Sequence, residues 1–135
     1  MNVPVRFPYT GDGPTAMPVI SLALQANGRS IEVEALLDTG ASVNVLPYEV
    51  GAALGFHWEE QMVPVELAGN LGSSAARAIV AGGQVEDFPA KHLVFAWSQG
   101  KGFRTILGQM NFFLEFNVCF FRNDGVFELI HHEAD

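Results

Sequence analysis

The stretch that decides the fold is Leu36-Leu37-Asp38-Thr39-Gly40-Ala41-Ser42, in which an apolar strand ends in a carboxylate. Thr39, a small hydroxyl residue, and Gly40 come directly after Asp38. Because Gly40 has no side chain, the backbone after the acid can approach a ligand or a second chain closely. The alternative is an Asx turn, in which the Asp38 carboxylate only accepts a hydrogen bond from the amide two residues on. The residues alone leave both interpretations open.

The sequence before Asp38 predicts a β-hairpin. The runs over residues 19–24 and 31–37 are rich in Val, Ile and Leu, and the second alternates apolar residues with glutamates. Asn27-Gly28 separates them, and this dipeptide is typical of a two-residue hairpin turn. The second strand leads straight into Asp38.

The sequence after Asp38 predicts further short strands and little helix. Pro47 and Gly55 bound one short helix over residues 48–54, and residues 110–116 allow one or two more helical turns. The remaining apolar runs predict two more hairpins and two single strands, over residues 63–67, 76–80, 92–97, 105–107, 118–121 and 126–130. Short strands and 14 glycines together predict an all-β, barrel-like domain.

Composition excludes several classes of protein. A chain of 135 residues with 49% hydrophobic residues is sized as one globular domain. Its single cysteine, Cys119, can form no internal disulfide and no cysteine-based zinc site, which indicates a reducing compartment. We expect Cys119 to be a buried apolar thiol rather than a nucleophile, and the phenylalanines near it to lie mostly in the core.

Charge and hydropathy argue against two kinds of partner. The 7 basic residues are scattered singly among 15 acids, and the net charge is −8. This distribution argues against binding to nucleic acid, which depends on clustered cations. No apolar run approaches the roughly 18 residues that a membrane span requires, and no signal peptide is evident. We therefore expect no nucleic-acid or membrane partner and a cytoplasmic location.

Three parts of the chain, in order, resemble the retropepsin-like (retroviral-type) aspartic proteases. The first is residues 38–46, with Asp-Thr-Gly-Ala followed by an apolar strand. The second is the glycine-containing loop over residues 68–74, where that family has its flap. The third is Ile106-Leu107-Gly108, followed by a short helical stretch. The resemblance covers residues 18–130, with an extended arm over residues 1–17 before it and a polar tail over residues 131–135 after it.

The resemblance implies a fold and an activity. The fold would be the single-lobe, closed all-β barrel of that family, with one or two short helices, and it would be dimeric. The activity would be that of an aspartic endopeptidase, which needs two carboxylates that share one proton. The chain has one Asp-Thr-Gly, and no other acid repeats the pattern. The second carboxylate must therefore come from a second copy, so the expected partners are a polypeptide substrate and the chain itself.

Site residues follow from the matching motif positions. Asp38 would be catalytic, Thr39 would hydrogen-bond across the two-fold axis, and the carbonyl group of Gly40 would accept a hydrogen bond from the substrate backbone. Ala41 and the flap residues would contact the substrate. The flap residues are Gly69, Asn70, Leu71 and Gly72. No cofactor and no metal ion is implied.

Two departures keep other functions open. Retroviral members commonly carry an acid and an arginine, which pair near the dimer interface, where this chain has Ser42 and Gln109. A catalytically silent peptide-binding or dimerisation module on the same fold is therefore a second hypothesis. A third is a small β-barrel that carries an apolar ligand, which would be a stable monomer and would leave the Asp-Thr-Gly unexplained.

Overall fold

The computed structural model describes residues 3–67 and 75–131, and strands dominate it. The strands in chain order are β1 (Val5–Pro8), β2 (Val19–Ala26), β3 (Arg29–Leu37), β4 (Asn44–Pro47), β5 (Ala76–Gln84), β6 (Lys91–Ser98), β7 (Thr105–Leu107), β8 (Phe116–Phe121) and β9 (Val126–His131). The helices are α1 (Tyr48–Ala53) and α2 (Phe112–Glu115). Within the described ranges, no helix is long and apolar enough to cross a membrane.

Six strands close into a barrel, and the other three form a separate sheet. The barrel order is β2-β3-β7-β4-β6-β5, and β5 pairs with β2 to close it. The small sheet has the order β1-β9-β8, with both of its pairs antiparallel. The predicted all-β class with a closed barrel and two short helices is confirmed. The arm contributes β1, and β9 extends through His131, the first residue of the expected tail.

Two hairpin turns have the backbone that their sequences predict. Asn27 and Gly28 have φ values of 53° and 72°, which is the left-handed pair that a two-residue hairpin turn requires. Gly125 closes the turn between β8 and β9 with a φ of 69°. The first and third predicted hairpins are therefore confirmed.

The predicted strand over residues 63–67 is wrong. This segment makes one isolated bridge, between Pro64 and Arg77, flanked by hydrogen bonds from the Val65 amide to Ala76 and from the Ala78 amide to Val63. The segment therefore contacts β5 at one point and does not form a strand of its own. The loop over residues 68–74 lies outside the described residues.

Helix α1 packs its glycine against a buried tryptophan. Trp97 on β6 is fully buried, and its indole N–H donates to the carbonyl oxygen of Tyr48 at 3.0 Å. The Tyr48 ring stacks on it with centroids 5.2 Å apart. Gly51 lies over the same indole, so that a Cβ atom added there would overlap the ring. The chain turns away after α1 at Gly55, with a φ of +85°.

A second, smaller apolar cluster lies on the other face of β4 and β6. Val45, Leu67, Ala76 and Ala96 form its buried part. The barrel core itself is built on larger residues from nearly every element, including Leu22, Leu46, Phe95, Trp97, Leu107, Phe112 and Phe127. Strands β4 and β7 are therefore packed on both faces, and these two strands lie next to the Asp38 loop.

We predict that Gly51→Ala destabilises the fold by about 1–3 kcal/mol, because the new methyl group overpacks against Trp97. Helix propensity alone predicts the opposite sign, since alanine favours a helix interior by about 1 kcal/mol over glycine. Gly82→Ala on β5 is the matched control, because its Cβ would lie 3.5 Å from the carbonyl oxygen of Gln25, an ordinary contact. Denaturant unfolding of both variants measures the difference. Equal or greater stability of Gly51→Ala would contradict the packing described.

Candidate active site

Asp38 follows β3 at the point where three strands lie side by side. β7 pairs in parallel with β3 and antiparallel with β4, so it lies between the strands on either side of the Asp38 loop. The amide of Asp38 continues the ladder by donating to the carbonyl oxygen of Leu107 at 3.0 Å. The loop over residues 38–43 therefore crosses the end of β7.

The Asp38 carboxylate is half-buried and held by the loop's own backbone. The Gly40 amide donates to Asp38 Oδ1 at 2.9 Å, and the Ala41 amide donates to the Asp38 carbonyl oxygen at 3.1 Å. The Asx turn is thus formed. Within the described part of the chain no hydrogen bond reaches Asp38 Oδ2, so the turn fixes the carboxylate and leaves that oxygen free to act on a water or a ligand. Thr39 and Gly40 are exposed at the tip of the loop.

The loop rests on the backbone of Gly108. A Cβ atom at this position would lie 2.5 Å from the carbonyl oxygen of Val43 and 2.7 Å from that of Ala41. No side chain fits in that space, so glycine is required. The next two amides donate to the same loop, Gln109 to Ala41 and Met110 to Ser42, each at 2.9 Å.

Gln109 also fixes the tip of the loop through its side chain. Its amide nitrogen Nε2 donates to the carbonyl oxygen of Thr39 at 2.7 Å. The sequence marked Gln109 only as a departure from the retroviral pattern. In the structure it braces the Asp38 loop within one chain, without the expected acidic partner.

Asn44 is the site residue that the sequence reasoning missed. It is fully buried at the start of β4. Its Oδ1 accepts the Gly108 amide at 2.9 Å, while its Nδ2 donates to the Val94 carbonyl at 3.0 Å and to Asn111 Oδ1 at 3.1 Å. An amide side chain inside the apolar run Val43-Asn44-Val45-Leu46 was the available signal, because a buried polar group needs partners.

Asn111 completes this network from the segment before α2. It has a φ of 76°, a backbone conformation that is costly for most residues with a side chain. Its Oδ1 also accepts the Val94 amide at 2.9 Å, and its Nδ2 donates to His92 at 3.2 Å. These bonds hold the strained turn and tie the segment after Gly108 to β6.

The structure brings some of the expected site residues together. Asp38, Thr39, Gly40 and Ala41 share one loop, and the backbone of Ala41 is engaged in holding that loop. An apolar groove of about 380 Å³ begins at Val43, at the end of this loop away from Asp38. It is lined by Val43, Asn44, Val65, Val94, Phe95, Ala96, Met110, Asn111 and Leu114. The expected flap residues, Gly69, Asn70, Leu71 and Gly72, lie outside the described residues.

Comparison with known proteins identifies the family. A family described as "Aspartyl protease" matches residues 22–111, which include the Asp38 loop, Asn44 and Gly108. The chain belongs to the aspartyl protease family. No curated protein sequence matches the chain.

Two solved structures are similar to this chain. A retropepsin-like aspartic protease from Rickettsia conorii matches with a TM-score of 0.69 and 18% identity, over 97% of this chain and 92% of that one. The EIAV protease complexed with the inhibitor HBY-793 matches with a TM-score of 0.46 and 17% identity, over 73% of this chain and 88% of that one. The first of these shows that the chain has the retropepsin-like fold.

We predict that Asn44→Ala lowers the free energy of unfolding by about 2–4 kcal/mol, because it leaves the buried Gly108 amide without its acceptor. Asn123→Ala, in the exposed turn before β9, is the matched control and should change stability by less than about 0.5 kcal/mol. Chemical denaturation of both variants tests this. Similar midpoints for the two variants would show that the Asn44 network does not hold the loop.

Proposed function

We propose that this chain is an aspartic endopeptidase, active as a homodimer in which the two Asp38 carboxylates activate one water molecule against a peptide bond. The observation that carries the proposal is the Asp38 carboxylate itself. It is half-buried and is fixed through Oδ1 by the Gly40 amide, in a chain of the aspartyl protease family.

The chemistry requires two carboxylates with one proton between them. Like charges a few ångströms apart cannot both ionise, so one Asp38 of the pair stays protonated while the other is charged. The charged one takes a proton from the attacking water, and the protonated one gives its proton to the oxygen of the scissile carbonyl. Proton transfer to the leaving nitrogen then completes the cleavage, and no metal or cofactor takes part.

The second carboxylate comes from a second copy, because the chain carries one Asp-Thr-Gly. A two-fold axis beside the Asp38 loop places the same residue twice at one site. Thr39 lies exposed at the tip of that loop, where its hydroxyl would meet the loop of the other subunit. The loop is already fixed by Gln109 and Gly108, so that dimerisation would bring together two preorganised halves.

The substrate that fits best is an extended polypeptide with apolar side chains. The groove that begins at Val43 is apolar and carries no charged side chain in its lining. The Gly40 carbonyl, which is free of any hydrogen bond within the described residues, would accept from the substrate backbone. The expected flap would cover the substrate from the other side, with Gly69, Asn70, Leu71 and Gly72.

The lone Cys119 fits a cytoplasmic location, since it forms no internal disulfide.

We predict that the wild-type protein cleaves an unfolded model polypeptide between about pH 3 and 7 and that Asp38→Asn lowers this activity by at least about 10³-fold. Because two chains form one site, activity should rise faster than linearly with protein concentration. Asp124→Asn in the exposed turn before β9 is the matched control and should keep its activity. A folded wild-type protein that cleaves nothing at any pH, yet binds the polypeptide, would instead identify a silent binding module.

We predict that Gln109→Glu lowers kcat/KM by about 10-fold at pH 7, because an ionised carboxylate would face the Thr39 carbonyl oxygen and displace the loop. At acid pH the new side chain is protonated and can donate to that oxygen. The activity relative to wild type should therefore recover as the pH falls. Gln109→Ala is the control, since it cannot donate at any pH. A constant ratio of Gln109→Glu to wild type over the whole pH range would refute this role of Gln109.

A further inference from the structure

We propose that Arg77 is a positioning residue for substrate binding. Its guanidinium group anchors the segment over residues 58–67 to β5, and this segment supplies part of the wall of the apolar groove. The inference rests on the proposed function, because it concerns how the same site binds a polypeptide, and it adds a residue that lies outside the Asp38 loop.

The side chain of Arg77 contacts Trp58 in two ways. Its Nη1 donates to the carbonyl oxygen of Trp58 at 2.7 Å, and its guanidinium carbon lies 4.6 Å from the centre of the Trp58 ring. A planar guanidinium group can stack on a ring and donate a hydrogen bond at the same time, which suits arginine better than lysine. Within the described ranges neither ion pair involves Arg77, so its charge is directed at Trp58 and not at a carboxylate.

Trp58 is itself packed against the barrel. Its ring contacts the Trp97 ring edge-to-face, with centroids 5.4 Å apart, and the Tyr48 ring at 6.3 Å. Trp97 is fully buried on β6 and is the partner of Arg77 in the ladder between β5 and β6. The contact between Arg77 and Trp58 therefore ties the start of the segment to two strands of the barrel.

The rest of the segment has few other attachments. Met62 and Val63 are 82% and 60% exposed, so apolar burial contributes little to holding them. Pairing with β5 consists of the single bridge between Pro64 and Arg77 with its two flanking hydrogen bonds. Arg77 thus attaches the segment twice, through its backbone opposite Pro64 and through its side chain at Trp58.

Val65 is the residue through which this attachment reaches the substrate. Of the described residues that line the groove of about 380 Å³, only Val65 lies on the segment over residues 58–67. Its amide donates to the carbonyl oxygen of Ala76 at 3.0 Å, next to the bridge at Arg77. Leu67, at the end of the segment, is buried in the cluster beside the groove. The shape of the groove wall therefore depends on how firmly the segment is held.

The Asp38 loop is held by other contacts. Its backbone is fixed by Gly108 and by the amide and side chain of Gln109, whereas the side chain of Arg77 hydrogen-bonds only to Trp58 within the described residues. Loss of Arg77 should therefore weaken substrate binding and leave the carboxylate in place. An interaction made equally in the ground state and the transition state changes KM and not kcat.

The test compares Arg77→Met with Arg77→Lys and with Arg104→Met. Arg77→Met keeps an apolar stem and removes both the charge and the hydrogen bond. Arg104 is the matched control because its substitution changes the net charge equally, and its exposed side chain donates only to the sulfur atom of Met17 within the described residues. Cleavage of an unfolded model polypeptide gives kcat and KM, at a protein concentration where activity per chain no longer rises.

We expect Arg77→Met to raise KM by about 5- to 10-fold, with kcat within about 2-fold of wild type. Arg77→Lys keeps the charge over the ring and one donor, so it should restore KM to within about 3-fold of wild type. Arg104→Met should change neither constant. If Arg77→Met only unfolded part of the molecules, the active fraction would fall, lowering kcat and leaving KM unchanged. That pattern would overturn the inference.

Hydrogen–deuterium exchange tests the anchor without a substrate. The amides of Val65 and Ala78 form the two hydrogen bonds that flank the bridge, and they should exchange faster in Arg77→Met than in wild type. The amide of Gln109, which holds the Asp38 loop, should not change. Equal exchange of Val65 and Ala78 in the two proteins would overturn the inference.

The outcomes separate this inference from the proposed function. Wild type that cleaves polypeptide, with the same KM in Arg77→Met, overturns the role of Arg77 and leaves the endopeptidase standing. Wild type that cleaves nothing overturns the endopeptidase, and the fluorescence anisotropy of a fluorescein-labelled unfolded polypeptide then tests Arg77 by binding alone. Weaker binding by Arg77→Met than by wild type supports the inference, whereas equal binding, or no binding by wild type, overturns it.

Discussion

The contact between the Asp38 loop and the backbone of Gly108 is the constraint on which the site depends. Because β7 lies between β3 and β4, the chain must cross the end of β7 to pass from one to the other. The carbonyl oxygens of Ala41 and Val43 then lie so close to Gly108 that no side chain fits. The position of the Asp38 carboxylate thus depends on two features, the strand order of the barrel and the glycine at position 108.

Polar side chains convert this contact into a fixed geometry. The side-chain oxygen of Asn44 accepts a hydrogen bond from the Gly108 amide. The side-chain nitrogen of Gln109 donates to the Thr39 carbonyl oxygen at the loop tip. Both are neutral amides, so the bracing does not depend on ion pairs and is insensitive to salt. A loop held in this way has its carboxylate oriented before a substrate or a second copy arrives, which is what the proposed acid–base chemistry requires.

The sequence predicts the local structure well where turn chemistry is explicit. Asn27-Gly28 and Gly125 adopt the left-handed backbone that such turns need, and Pro47 and Gly55 bound α1 as expected. Closure of the barrel is a long-range property, and it followed from the family resemblance rather than from the strand list.

Two of the errors come from apolar character. It marked residues 63–67 as a strand, but this segment makes one isolated bridge to β5. The same character suggested that Cys119 is buried, whereas it lies exposed on β8. Apolar character alone does not decide whether a residue is buried, because apolar atoms also make up more than half of the surface of a folded protein. Asn44 was missed because a single polar residue in an apolar run does not reveal its hydrogen-bond partners, which lie far away in the sequence.

The stoichiometry of a transition-state analogue tests the central claim most directly. A peptide in which a hydroxyl-bearing carbon replaces the scissile amide mimics the tetrahedral intermediate and should bind tightly to a shared pair of carboxylates. Isothermal titration calorimetry counts the chains per bound molecule. The account predicts one molecule for every two chains and no such binding by Asp38→Asn. One molecule per chain, with binding retained in Asp38→Asn, would contradict a site built from two Asp38 carboxylates.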